Sequence, residues 1–243
     1  MKRIGFLAFG LVAYLFSLLT ILYLIAFVAG LSVIPRSIDH PAIGLSSTHA
    51  VLVDLLLIAI FGLQHSLMAR RSFKAAWTRL MPRAIERSGY LVFSCLAFLL
   101  LFTFWQPLPA LLWDVRESLA EPLLWAAFLA GWLIALVSTF LIDHLELFGL
   151  AQVRDAWRER STGAPRFRQP FLYRLVRHPL YSGFLVAFWA TPAMSYGHLL
   201  FSTGMTAYVL VAIRLEERDL LSLFGAEYQA YRLRVGKLIP RFR

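Results

Sequence analysis

The stretch GFLAFGLVAYLFSLLTILYLIAFVAGL, Gly5 to Leu31, runs for 27 residues without a charge. An α-helix needs about 20 such residues to cross the hydrocarbon core of a bilayer, whose roughly 30 Å are covered at 1.5 Å per residue. The run therefore reads as a membrane span. It follows Met1, Lys2 and Arg3 as the apolar core of a secretory leader would, but such a core stops after about 7 to 15 residues. A retained first span is the expectation.

Working outward, similar runs lie at Ala50 to Met68, Gly89 to Trp105 and Pro122 to Ile142. Two shorter ones, Pro179 to Ser195 and Gly197 to Ile213, are separated only around Ser195, Tyr196 and Gly197, which predicts a tight helical hairpin. The composition agrees: 59% of the residues are hydrophobic and 16% charged, against about 45 to 50% and 25% in soluble domains. No stretch reads as a separate soluble domain, so residues 1–243 are expected to form a single domain, a four-span N-terminal bundle over 1–142 followed by a C-terminal region over 143–243.

The formal net charge of +10 does not point to nucleic acid, because the basic residues cluster between apolar runs and form no continuous face. They follow membrane topology instead. Lys2 and Arg3, the loop from Arg70 to Arg87, the loop from Arg154 to Arg177 and the tail from Arg214 to Arg243 hold 22 of the 24 Lys and Arg residues. Cytoplasmic loops carry that excess, so six crossings with both termini inside fit the pattern. Arg36 and Arg116 fall on the other side, beside Asp39, Asp114, Glu117 and Glu121.

No repeat, low-complexity tract or alternating strand pattern is present, which argues against a membrane barrel. The expected class is all-α, a polytopic membrane protein of five to six transmembrane helices. Leu145 to Trp157 and Leu220 to Leu233 place apolar residues at helical spacing among charges and predict cytoplasmic amphipathic helices at the lipid surface. The single cysteine, Cys95, sits in an apolar run, so no internal disulfide or multi-cysteine metal site is available. No H-x-x-x-H spacing offers one either, and nothing calls for an obligate protein partner.

Chemistry concentrates in the last seventy residues. Arg177, His178, Pro179, Leu180, Tyr181, Ser182 and Gly183 open the fifth apolar run, with Pro179 suited to a first helical turn. That sets two donors beside helix-terminal N–H groups, a seat for an anion or a simple interfacial anchor. Glu216 and Glu217 follow the sixth run, and a hairpin returns them toward Arg177 and His178. Carboxylates there are costly unless paired, so they form ion pairs or hold a cation. Tyr228 and Tyr231, three apart, share a helical face, as ligand contacts or as interfacial aromatics. Upstream, Gln64 and His65 end the second span and Asp54 lies inside it. Trp189, Phe188, Met194 and Tyr208 line the hairpin as packing or as an apolar pocket.

Taken together, Arg177 to Gly183, Glu216, Glu217, Gly225, Tyr228, Tyr231 and Pro240 resemble the C-terminal region of the isoprenylcysteine carboxyl methyltransferase superfamily. With Phe61 to Ala69, Phe73, Lys74, Trp77, Ile85 to Ser88, Asp143 to Gln152 and Phe188 to Phe201, the chain is similar over nearly its whole length to the methanethiol S-methyltransferase family. It departs from that pattern at Gly236 and Lys237, where the family favours Pro-Met or similar residues. The resemblance implies S-adenosyl-L-methionine as methyl donor, a small-molecule thiol as acceptor and lipid as surroundings. It implies cofactor contacts from Arg177, His178, Pro179, Tyr181, Gly183, Glu216, Glu217, Tyr228 and Tyr231. It also implies acceptor contacts from Gln64, His65 and Trp189. A thiol acceptor has to lose its proton, and His178, His65 or His144 could take it; His178 with Arg177 is the preferred catalytic pair. No strand leads into a G-x-G turn, so the soluble methyltransferase cradle is missing. Alternatives left open are a lipid or prenylcysteine acceptor, a non-catalytic NnrU-type membrane protein, and a transporter.

Overall fold

The computed structural model describes residues 2–41, 46–160 and 167–241; Arg166 and Arg243, both counted in the charge pattern, lie outside them. Among the described residues five helices are long and apolar enough to cross a membrane: α1 (Lys2–Val28), α2 (Ser47–Ala69), α4 (Glu86–Phe104), α5 (Ala120–Ile142) and α9 (Tyr196–Arg234). Their outward faces are apolar. On α1, Val12, Leu15, Leu19 and Leu22 are each more than half exposed, and on α5 Leu129, Leu133, Leu136 and Phe140 are likewise. Ser17, Thr20, Ser138 and Thr139 are buried instead, bonded to carbonyls one turn back, as Ser17 Oγ to Ala13 O at 2.8 Å. Apolar outside and polar inside is the arrangement lipid favours and water does not. The chain is an all-α integral membrane protein.

Two compact units interleave along the sequence, one of residues 1–110, 144–164 and 196–200, the other of 111–143, 165–195 and 201–243. The second unit therefore takes α5 together with the C-terminal region.

In the first unit α4 packs against both α1 and α2. Phe27, Phe102 and Trp105 are buried there, with ring centroids 5.2 Å (Phe27–Phe102) and 5.9 Å (Phe27–Trp105) apart. The Trp105 indole donates to Ile38 O at 3.0 Å. Short helices α3 (Arg71–Trp77), α6 (His144–Leu147) and α7 (Leu150–Trp157) complete it. The latter two replace the single amphipathic helix expected over 145–157, broken at Gly149, which takes φ +79°.

In the second unit α5 lies against α8 (Pro179–Trp189). Their backbones touch. A Cβ added at Gly131 would stand 2.6 Å from Ala187 N, and one at Gly183 would stand 2.5 Å from Gly131 O. With Ala135 and Ala187 four residues on, each helix presents the small-xxx-small face that membrane helices use for close approach.

The fifth apolar run forms a helix of only 11 residues, about 16 Å long, roughly half a bilayer core. It stops before Thr191 and Pro192, since proline disfavours a helical residue before it and has no N–H to give. The chain continues as β2 (Ala193–Ser195), paired antiparallel with β1 (Leu111–Asp114), and these are the strands among the described residues. The return is antiparallel as expected: Glu217 meets His178, and eleven residues along α8 and back along α9, the Trp189 indole donates to Thr206 Oγ1 at 3.0 Å. α9 is broken at Gly225 (φ 53°, ψ −123°), a conformation a side chain disfavours. The amphipathic stretch expected at 220–233 is thus the end of α9 on either side of that break.

Candidate functional site

The end of the chain positions the entry to α8. Val176 bridges Gly236 in parallel, and the N–H groups of Arg177 and His178 donate to Gly236 O (2.8 Å) and Lys237 O (3.1 Å). Gly236, one of the two departures from the family pattern, is required by this turn: a Cβ there would lie 2.0 Å from Ile239 O. Ser182 Oγ adds a bond to Leu238 O at 2.8 Å. Pro179 then occupies the first turn of α8.

Arg177, His178 and Glu217 are all buried. Arg177 Nε donates to Glu217 Oε1 at 2.8 Å, and its Nη1 donates to Arg232 O (3.0 Å) and Val235 O (2.6 Å). One guanidinium thus satisfies a carboxylate and two carbonyls left over at the end of α9. The other Glu217 oxygen lies 3.5 Å from Arg232 Nε. His178 Nε2 is 3.2 Å from Glu217 Oε1. An ionised carboxylate only accepts, so Nε2 carries a hydrogen, and in the neutral ring the lone pair is on Nδ1. Nδ1 faces the half-exposed carboxylate of Glu216 at 3.8 Å.

Beside these charges Tyr228, Tyr231 and Val235 form a buried apolar nest with Phe167, Leu220, Leu221 and Phe224. The Tyr228 and Tyr231 rings are 5.8 Å apart, one helical face as predicted, and Phe167 stands edge-on to both at 5.7 and 5.2 Å. Tyr231 Oη donates to Tyr173 O at 2.5 Å. The Tyr228 hydroxyl, on a side chain 1% exposed, has no hydrogen-bond partner. Burial, and then the charge of Glu216, pushes the Tyr173 phenol up from its ordinary value.

Seven of the expected residues therefore meet here: Arg177, His178, Glu216, Glu217, Tyr228, Tyr231 and Tyr181, whose ring is 5.8 Å from that of His178. Gly183 faces α5 and keeps two helices in contact. Trp189 is 40% exposed and its N–H is spent on Thr206. Gln64 and His65 belong to the first unit. There His65 Nε2 meets Tyr90 Oη at 2.6 Å and Nδ1 meets Ser94 Oγ at 3.0 Å. Ser94 already donates to Tyr90 O, so Nδ1–H donates to Ser94, the Tyr90 phenol donates to Nε2, and the ring is fully engaged. Gln64 Oε1 is buried without a partner.

Arg232, Phe167 and the carbonyls of Arg232 and Val235 were missed from sequence. Arg232 lies four residues after Tyr228, hence on its face, a signal that was available. Phe167 carried none. Among the described residues no His, Cys, Asp and Glu group could hold a metal.

No family model matches the chain, and no solved structure does. Named relatives do. It is 50% identical over 240 residues to methanethiol S-methyltransferase 1 of Bradyrhizobium diazoefficiens, covering 98% of this chain and 83% of that one. It is 49% identical over 239 residues to methanethiol S-methyltransferase of a Pseudomonas species (98% and 91%). The Mycobacterium tuberculosis methanethiol S-methyltransferase is 48% identical over 240 residues, 99% of this chain and 98% of that one. Identity at about half the positions, sustained from end to end, places the chain in the methanethiol S-methyltransferase family.

Proposed function

We propose that the protein transfers the methyl group of S-adenosyl-L-methionine to methanethiol, giving dimethyl sulfide, S-adenosylhomocysteine and a proton. The observation that carries this reading is the identity of about one half, over nearly the whole chain, to relatives of that name. The excess of basic residues on alternate loops supports a bacterial inner membrane location with both termini in the cytoplasm.

The residues of the second unit fit the donor. When bound, S-adenosylmethionine supplies a methyl group on a positively charged sulfur. Glu216, half exposed and bonded less closely than Glu217, suits its ammonium group. Arg232, 34% exposed at its side chain and 3.5 Å from Glu217, has donors for its carboxylate. The unpartnered Tyr228 hydroxyl offers a buried polar contact in an otherwise aromatic nest, where leaving it unpaired costs about 1–3 kcal/mol. Tyr231 and Phe167 supply flat apolar surface, and Pro179 and Tyr181 border the entry.

Proton removal falls to His178. With Nε2–H held by Glu217, the neutral ring presents its lone pair at Nδ1, and a proton taken from the thiol there arrives between two carboxylates. Glu217 is thereby the orienting partner and Arg177 the counter-charge that allows a carboxylate to be buried there. Dry surroundings help because opposite charges of nucleophile and donor disappear together as the methyl group moves.

The test is dimethyl sulfide released from membranes containing the protein, with S-adenosylmethionine and methanethiol both supplied. Production that requires both reagents and falls at least a hundredfold in His178→Ala supports the reading. Membranes that bind the donor yet release no dimethyl sulfide overturn the acceptor assignment, and a chain that binds no donor overturns the whole.

A further inference from the structure

The second unit buries one more donor for which the cluster around Glu217 has no use. Trp132, on α5, is 8% exposed, and its indole Nε1 is buried without a hydrogen-bond partner. Aromatic rings surround it: Phe184 at 5.7 Å and 69°, Phe188 at 6.0 Å and 74°, and Phe128 at 6.1 Å and 73°. Phe184 and Phe188 are parallel to within 5°, 5.9 Å apart, so the indole stands edge-on to both.

An indole only donates. A ligand that satisfies it needs one acceptor atom and an otherwise apolar body, because what surrounds the N–H is aromatic. Sulfur suits rings of this kind, making favourable contacts with them at about 5 Å. The place along the helix is also suitable. His178, Tyr181, Phe184 and Phe188 succeed one another along one side of α8, and the His178 and Tyr181 rings are in contact. Phe184 lies about 9 Å further along the helix axis than His178. An apolar acceptor would thus sit one to two turns beyond the charged cluster, within the same unit. Trp189, the tryptophan that the sequence suggested, has its N–H bonded to Thr206.

We propose that Trp132, Phe184 and Phe188 form the acceptor pocket, entered past His178, which takes the thiol's proton at the α8 entry; the Trp132 N–H then donates to the sulfur of the small alkyl thiolate and the two phenylalanines enclose its carbon. This rests on the thiol methyltransferase reading above. The competing account is that the N–H points at the faces of Phe184 and Phe188 in a weak N–H···π contact and binds nothing.

The experiment uses the full chain in nanodiscs with methanethiol, comparing native protein with Trp132→Phe and Phe184→Ala. Trp132→Phe keeps a ring and removes the donor. Expected are a rise of about tenfold or more in KM for methanethiol, the scale of a hydrogen bond to a charged group, a KM for S-adenosylmethionine within twofold, and loss of the rise in thermal midpoint that methanethiol gives the native chain. Phe184→Ala, at a half-buried position, is expected to improve kcat/KM for propanethiol relative to methanethiol at least tenfold, since each methylene is worth about 10- to 200-fold in such a pocket. An unchanged KM in Trp132→Phe overturns the proposal, and so does unchanged thiol selectivity in Phe184→Ala if Trp132→Phe fails to fold. If the native chain makes no dimethyl sulfide, the midpoint still decides. A methanethiol-induced rise that Trp132→Phe abolishes keeps the pocket while the reaction falls, and no rise in the native chain removes the pocket too.

Discussion

Glu217 and Tyr228 are close together in chemistry and opposite in kind, which makes them separable by substitution. Glu217 is 5% exposed and bonded to Arg177, His178 and Arg232. Glu217→Gln leaves the Arg177 guanidinium buried beside a neutral amide, a loss on the scale of about 3–5 kcal/mol for breaking a buried pair. The expected result is a lower thermal midpoint in detergent before any ligand is added. Tyr228→Phe removes a hydroxyl that has no partner, so the unliganded protein should be as stable or slightly more so. Its affinity for S-adenosylmethionine, read by calorimetry, should fall about tenfold, the worth of one well-placed hydrogen bond. A Tyr228→Phe protein that is destabilised and binds the donor normally would show the hydroxyl to be structural. Residue identities in this cluster were legible in the sequence because charges beside an apolar run are conspicuous. The direction of each hydrogen bond was not, since it depends on a tail that meets Arg177 about sixty residues later.

At the scale of elements, α5 and α8 depend on the absence of side chains at Gly131 and Gly183. Gly131→Ala places a methyl group 2.6 Å from the backbone of α8, and rigid backbone on the other side leaves the helices no choice but to separate. A loss of about 1–3 kcal/mol is expected, as for other overpacked sites, measured as unfolding in mixed micelles. Gly5→Ala provides the contrast: nothing lies within 4 Å of the added Cβ, and the better helix propensity of alanine should leave stability unchanged or raised by up to about 1 kcal/mol. The sequence displayed the glycines without their partners. It also overstated α8, because an apolar run shows what a segment tolerates and the Thr191–Pro192 stop decides how long it stays helical. The small β1–β2 ladder was invisible for a related reason, since three- and four-residue strands are too short to show alternation.

For the molecule as a whole, the four long apolar runs before residue 143 were read correctly because lipid demands a long uninterrupted pattern, the strongest signal a sequence carries. Orientation remains a separate statement, and it can be tested within the first unit. Val33 and Leu80 are 84% and 83% exposed and lie before and after α2, while the native Cys95 is buried and should be silent to labelling. In sealed, right-side-out vesicles, an impermeant maleimide should label Val33→Cys and leave Leu80→Cys untouched, with the reverse in inverted vesicles. Labelling of both from one side would mean that α2 does not cross.

The contacts of Arg177 also set an order in time. Its carboxylate partner is 40 residues further along the chain, and the carbonyls it holds are 55 and 58 residues further. During synthesis Arg177 is added before any of them, so α8 begins its life without the groups that hold the cation at its entrance. The charged cluster closes only when Glu217, Arg232 and Val235 have all emerged, so a nascent chain cut before Arg232 is unable to assemble it.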